Sequence, residues 1–402
     1  MNPPMRSFFS GSIPSRQRQT LIWIGILWLA VQAFFLWKNG MVTTGEAGKY
    51  IYQAHLYLGT GRPETPNLWL YFLQIGLLAL CMRLKLSLVF VMCIQLLSNL
   101  IATYCFYRTI LYLFKERRVA LAGTILLILN YPYQQWNTFL QTESLFYSLT
   151  LITSCYIVHI EKLNVKKLLT TILLLMILCI TRPTGLLFIP PAFIYLFFVF
   201  FRNMSTAKKT ALLAFIGIGF LFLLDRALGS GGELDFMLPF REEMIICGVP
   251  ALAHSLPVLT TVDGNSIYGL AYYIIHNPGQ FFRLAGLRTM AFFGLFRSYY
   301  STSHNIYLVV FFSCVHVMAL VSIPYWIKDL RYKFYFILSI ILLNWLTMIF
   351  TCDDWSNRFY LSISPFLIIL GMPLLLKFFK NQQMKDGPGV NSPYSRIQRD
   401  SR

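Results

Sequence analysis

The sequence predicts an all-α polytopic membrane protein, with about ten transmembrane helices and juxtamembrane helices in the first outer loop. Three observations carry this. Of 402 residues, 56% are hydrophobic and only 12% are charged. Apolar runs of about 18–20 residues, long enough to span a bilayer core, recur from Thr20 to Lys380. The basic residues behind the net charge of +18 gather in short clusters between those runs. Membrane topology produces that pattern, and nucleic acid is not indicated as a partner.

The first run, Thr20–Trp37, follows Arg6, Arg16 and Arg18. No small-residue cleavage site follows it, so it reads as a retained signal anchor. Next comes VTTGEAGKYIYQAHLYLGTGRPETP, residues 42–66. Ala47, Ile51, Ala54 and Leu58 make one apolar face at helical spacing. Glu46, Lys49 and Tyr50 stand on a neighbouring face at i, i+3 and i+4. Gly59 and Gly61 stop the helix, and Pro63 and Pro66 forbid its return. The segment reads as an amphipathic helix on the membrane surface that carries an acid and a base.

Asn67–Leu84 is apolar enough to cross, but the charges argue against it. Arg108/Lys115/Arg117/Arg118, Lys162/Lys166/Lys167, Arg202/Lys208/Lys209, Lys328/Arg331/Lys333 and the tail after Lys377 all face inward only if this stretch does not cross. It is therefore expected to be juxtamembrane or re-entrant. The further crossings are then roughly 86–107, 119–131, 141–160, 168–181, 185–201, 210–228, 304–325, 334–351 and 359–378. Residues 1–380 form one transmembrane domain with outer loops 38–85 and 229–303, and 381–402 form a polar cytoplasmic tail. The larger loop carries Gly229, Gly231, Gly232, Pro239, Pro250 and Pro257 and so is irregular, with helices from Tyr268 to Leu295 around His276–Gly279. No CxxC, glycine-rich phosphate loop or HExxH spacing occurs. Cys247 and Cys352 alone among the eight cysteines fall in predicted outer loops outside an apolar run, and their pairing stays open.

Chemistry is suggested by sidedness. Glu143 in QTESLF, Arg182 in TRPTG, and Asp353, Asp354 and Arg358 in CDDWSNRFY sit at the outer ends of runs. Ionisable groups there are costly unless paired or facing a wet cavity. With Glu46, Lys49 and Glu64 they form one outward-facing set. Acids suit proton removal from an acceptor, cations suit a phosphate, and apolar helices suit a lipid tail. Sugar transfer from a lipid-phosphate carrier would use all three. Each residue also has a structural alternative. Thr43-Thr44-Gly45-Glu46 matches a capping box. Glu143 suits a helix start, Arg182 an interfacial anchor, and Arg358 a partner of Asp353 or Asp354.

These motifs, in this order, resemble the GT-C class of polyprenyl-phosphate-sugar glycosyltransferases, nearest to the protein-mannosyltransferase and aminoarabinose-transferase superfamily. GEAGKYIYQA is similar to that family's acidic first-loop motif. Counting back from Tyr50, Glu46 falls where the family has its catalytic aspartate, and Lys49 where the aminoarabinose branch has an arginine. Glu64-Thr65-Pro66 before NLWLYF matches that branch's Glu-Lys-Pro, with Thr65 in place of the lysine. The acid pair of the family is reduced to Glu46 between Gly45 and Ala47. The resemblance covers the chain to about Lys380. It implies an inverting transferase working on the periplasmic or lumenal face, with Glu46 and Glu64 catalytic. Lys49, Arg182 and Arg358 would hold the donor phosphate, and Tyr50 and Glu143 would support them. The partners would be a polyprenyl-phosphate sugar donor, a glycan, lipid or protein acceptor, and membrane lipid. No cofactor is named; a divalent metal is compatible, and no metal ligands are assigned. A bacterial inner membrane is the expected location, with the endoplasmic reticulum as the other. Two alternatives remain. A lipid-linked glycan polymerase or ligase would rely on Arg241, Arg283, Arg288 and Arg297, whereas a transporter would need midplane charges and broken helices.

Overall fold

The computed structural model describes residues 15–201, 203–228, 237–250, 258 and 264–385. Arg202, Gly229, Gly231, Gly232, Pro257 and the tail from 386 onward lie outside them. Apolar runs become helices because a helix satisfies every backbone N–H and C=O within its own segment, as a lipid environment requires. In chain order the helices are α1 (Ser15–Asn39), α2 (Glu46–Thr60), α3 (Phe72–Arg83), α4 (Val89–Phe114), α5 (Arg117–Leu129) and the single turn α6 (Tyr131–Gln134). Then come α7 (Thr142–Val158), α8 (Val165–Cys179), α9 (Ile189–Phe200), α10 (Thr206–Leu228) and the short α11 (Met237–Arg241). The chain continues with α12 (Ile267–His276), α13 (Pro278–Gly294), α14 (Thr302–Asp329), α15 (Arg331–Phe350) and α16 (Arg358–Lys385).

Among the described residues, six stretches are long and apolar enough to cross a membrane: Gln17–Asn39, Val89–Phe114, Pro183–Phe200, Thr302–Asp329, Arg331–Phe350 and Arg358–Gln382. The chain is thus an all-α protein of multi-pass character. The crossings expected at 119–131, 141–160 and 168–181 appear as α5, α7 and α8, of 13, 17 and 15 residues. Each is shorter than the roughly 20 residues that span a bilayer core. Prolines cut two of these runs. Tyr131-Pro132 opens a new turn after α5, and Pro183 opens a 3-10 turn after α8. Asn67–Leu84 becomes a 3-10 turn, Pro66–Tyr71, followed by the 12-residue α3, which packs on α2.

Helix α16 is the axis of the bundle: 83% of its apolar window is buried, against at most 44% for the other five. Its contact with α14 is close enough to need glycine. A Cβ on Gly371 would lie 2.8 Å from Met318 Cβ. The main core runs through α1, α4, α5, α7, α9 and α14–α16. A second core joins α2, α3 and the start of α4 to Leu140, and a third joins α11, α12 and α13 to the end of α15.

Two single bridges dock the outer loops at one end of the bundle. Val42 N donates to Thr138 O at 2.9 Å, and Leu140 N donates to Val42 O at 3.1 Å. This sets the start of α2 beside the start of α7. Asp353 N donates to Ile245 O and Cys247 N to Asp353 O, both at 2.8 Å. There Cys247 and Cys352 form a disulfide with Cα atoms 5.1 Å apart, which settles the pairing left open by the sequence.

Candidate functional site

The starts of α2, α7 and α16 and the Arg182 turn meet where the bridges dock, and their charged side chains join. Arg358, the first residue of α16, is the hub. Its guanidinium grips Glu46 through Nη1 and Nη2, donates to Glu143 Oε1 at 2.8 Å, and forms a fork on Asp354 at 2.7 and 2.6 Å. Arg182 donates to the same Glu143 oxygen. The Trp136 ring lies 6.0 Å from the Arg358 guanidinium, and Tyr147 O–H donates to the Arg358 carbonyl at 2.9 Å. Charge-assisted, forked bonds of this kind fix geometry as well as supplying energy.

Local sequence explains each placement. Gly45 takes φ +64°, a conformation that glycine adopts at no steric cost, and it turns the chain into α2. The helix therefore begins at Glu46, and its N-cap is Gly45 with no side-chain capping bond. That corrects the capping-box alternative: Thr43 lies too early to cap, and Glu46 reaches Arg358 instead. The helix also runs through Gly59 and ends only at Thr60, with Gly61 as its left-handed cap. Glu143 does sit in the first turn of α7, as a helix start would have it, and it also receives both arginines. Arg182 is not an exposed anchor, since it is only 8% exposed. Gly185 allows its turn to lie against α8, because a Cβ there would stand 2.5 Å from Leu178 O. Asp354 precedes Arg358 by four residues, and it is Asp354, not Asp353, that pairs with it. Asp353 pairs with Arg297 at 2.6 Å.

Other expected site residues stand apart from this hub. Lys49 is exposed, with its ammonium 5.9 Å from the Tyr71 ring centroid. Tyr50 is buried, and its ring centroid is 5.8 Å from that of Tyr71. Glu64 accepts from Gln53 Nε2 at 2.7 Å, and its N–H donates to Gln53 Oε1 at 3.1 Å, a clasp across the end of α2. The sequence did not reveal Trp136, Tyr147 or the Arg297–Asp353 pair as neighbours of the site. The i,i+4 spacing of Asp354 and Arg358 was the one readable signal.

Electrostatics separate these groups. Burial opposes charge on Arg182, but the Glu143 carboxylate more than offsets it and holds the guanidinium protonated. Burial pushes the Tyr50 hydroxyl up, and the Glu143 charge adds to it, so Tyr50 stays a neutral donor. Burial also pushes Asp353 up to about 6 against the pull of Arg297. For Asp354, burial acts the same way, yet the bonds from Arg358 outweigh it and hold the carboxyl below its ordinary value. The hub brings two guanidiniums against three carboxylates. The buried ones are Glu143, fully, and Asp354, with 10% of its side chain exposed; Glu46 keeps 45% exposed. Arg358 occupies the centre of these carboxylates, so the residues present do not fit a resident divalent metal there.

Three of the large-loop arginines, Arg283, Arg288 and Arg297, have structural tasks. Arg288 is fully buried and donates to three carbonyls, Met244 O at 2.9 Å, Ile349 O at 2.7 Å and Pro239 O at 3.0 Å. Arg283 pairs with Glu243, and Arg297 also donates to Ala291 O and Phe296 O. Comparison of the chain with protein-family models, with curated proteins and with solved structures finds no match.

Proposed function

We propose that this chain is an integral-membrane glycosyltransferase that moves a sugar from a polyprenyl-phosphate carrier to an acceptor, with inversion. The observation that carries the reading is the union at Arg358 of the half-exposed first-loop acid Glu46 with Glu143 and Asp354. A half-exposed carboxylate held by a partly buried cation supplies both parts of such a transfer, a proton acceptor and a phosphate binder. Arg358 is saturated by carboxylates, so a donor phosphate must displace one of them. Glu46 is the most exposed and the easiest to release. Phosphate arriving on Arg358 would free the Glu46 carboxylate to take the proton of the acceptor nucleophile. That nucleophile attacks the anomeric carbon, the carbon–oxygen bond to phosphate breaks, and polyprenyl phosphate leaves with the electron pair. The leaving group is already anionic, so it needs cations more than a general acid.

Sidedness supports the same reading. The Cys247–Cys352 disulfide borders the hub, and disulfides persist in oxidising compartments. The opposite end of the bundle carries Lys115, Lys162, Lys328, Arg331 and Lys333, as a cytoplasmic face would. A bacterial inner membrane with a periplasmic site fits both. The burial of Arg288 and Arg297 in backbone and ion-pair contacts weighs against a polymerase or ligase built on those arginines. The test is purified protein reconstituted with candidate polyprenyl-phosphate sugars, with products read by mass spectrometry. Release of polyprenyl phosphate with glycosylated acceptor is expected. Movement of intact carrier without bond cleavage would replace this reading with a flippase.

A further inference from the structure

The end of the bundle away from the hub has its own chemistry. Helix α14 has 28 residues and starts beside the hub, so its far end lies roughly 40 Å away. There Ile323, Pro324, Ile327, Lys328, Arg331 and Tyr332 line an open groove of about 820 Å³ at the α14–α15 turn. Lys328 and Arg331 are exposed, as is Asp329 between them. The other acids of this end are engaged elsewhere. Glu116 caps α5 by accepting from Arg118 N, and Glu161 accepts from Tyr112 O–H. Lys333 donates to that same hydroxyl at 2.9 Å, and Lys115 lies 4.6 Å from the Tyr112 ring centroid. The rim of the groove therefore keeps a positive balance.

The walls are apolar, and the apolar surface continues up α14. Val317, Leu320 and Val321 are 56%, 65% and 58% exposed, on the helical face that leads into Pro324 and Ile327. Cations at a polar boundary with an apolar strip running away from them match the two halves of one molecule, an anionic head group and its acyl chain. A free phosphate ion would make no use of the strip. We propose that this groove binds an anionic phospholipid, its phosphate on Lys328 and Arg331 and one acyl chain along Leu320 and Val317.

The test is native mass spectrometry of the full-length protein in detergent, titrated with phosphatidylglycerol and, separately, with phosphatidylcholine. Wild type should retain phosphatidylglycerol preferentially. The double variant K328A/R331A should bind it roughly thirtyfold more weakly, the scale of removing two basic residues. The charge-keeping variant K328R/R331K should bind as wild type. A control variant, K166A/K167A, changes cations of the same end outside the groove lining, Lys166 exposed and Lys167 partly buried, and should also bind as wild type. Equal binding of the two lipids by wild type, or full retention by K328A/R331A, would overturn the proposal. So would an equal loss in K166A/K167A, which would show diffuse surface charge and no groove.

Discussion

Arg358 bonds three carboxylates, and these differ in a way that substitution can separate. Glu143 is fully buried between two guanidiniums, whereas Glu46 has 45% of its side chain exposed. Glu143→Gln leaves buried positive charge short of its partner and should cost about 3–5 kcal/mol, seen as a large drop in melting temperature. Glu46→Gln breaks a half-exposed pair and no cap, so stability should change by about 1 kcal/mol or less. Under the proposed mechanism the same variant should lose turnover by roughly 10²–10⁴, because an amide cannot take the proton. If Glu46→Gln melts as early as Glu143→Gln, Glu46 is a structural ligand of Arg358 and the base lies elsewhere. Asp353 offers a pH test. Its folded value of about 6 lies above the ordinary aspartate value of 3.8, so the folded state holds its proton more tightly. The resulting stabilisation is complete below the ordinary value and is lost as pH rises through about 6, a change of roughly 3 kcal/mol. Melting temperatures across pH 4–7 should show this slope in wild type and lose it in Asp353→Asn. At this scale the sequence revealed the charged residues and their common side. It did not reveal who pairs with whom, because pairing depends on rotamers and on loops docked by single backbone bridges.

Among the elements, α2 was legible and α5, α7 and α8 lie close to the ranges expected from sequence, whereas α16 runs on to Lys385, past its expected end at 378. An amphipathic stripe bounded by glycine and proline states its own length, as residues 46–60 do. The short helices α5, α7 and α8 end at Leu129, Val158 and Cys179, just before the ends expected from sequence. Their true ends come from proline and from tertiary contact, as where Gly185 lies against the backbone of Leu178. The close approach of α14 and α16 was likewise hidden, since Gly371 looks like any other small residue in an apolar helix. Gly371→Leu should push Met318 and Ala319 aside and destabilise the bundle by about 1–3 kcal/mol, the usual cost of overpacking. Thermal unfolding in detergent checks it; an unchanged melting temperature would mean that the two helices slide apart freely. Met318→Gly in the same background, which removes the Cβ that the new side chain meets, should recover part of the loss.

Among the described residues, the hub acids with Arg182, Arg297 and Arg358 stand at one end of the bundle, and a surplus of basic residues, Lys115, Arg117, Arg118, Lys328, Arg331 and Lys333 among them, stands at the other. This division was readable from sequence, because it depends only on the order of residues along helices. It predicts that single cysteines at Thr60 and Ser303, in a background without the free cysteines, react with an impermeant thiol reagent in intact cells. Cysteines at Glu116 and Lys208 should not. Reaction at Glu116 would invert the arrangement and show that the segment around α3 crosses. The hub also has a consequence in time. Glu46 and Arg358 are 312 residues apart, and Glu143 and Arg358 are 215 apart. Ribosomes add about 5–20 residues per second, so Glu46 waits roughly 15–60 s before its guanidinium has been made. Throughout synthesis the growing chain lacks the piece that closes the site. The last described helix, α16, supplies Arg358, so under the proposed mechanism a chain that ends before it would not turn over a carrier.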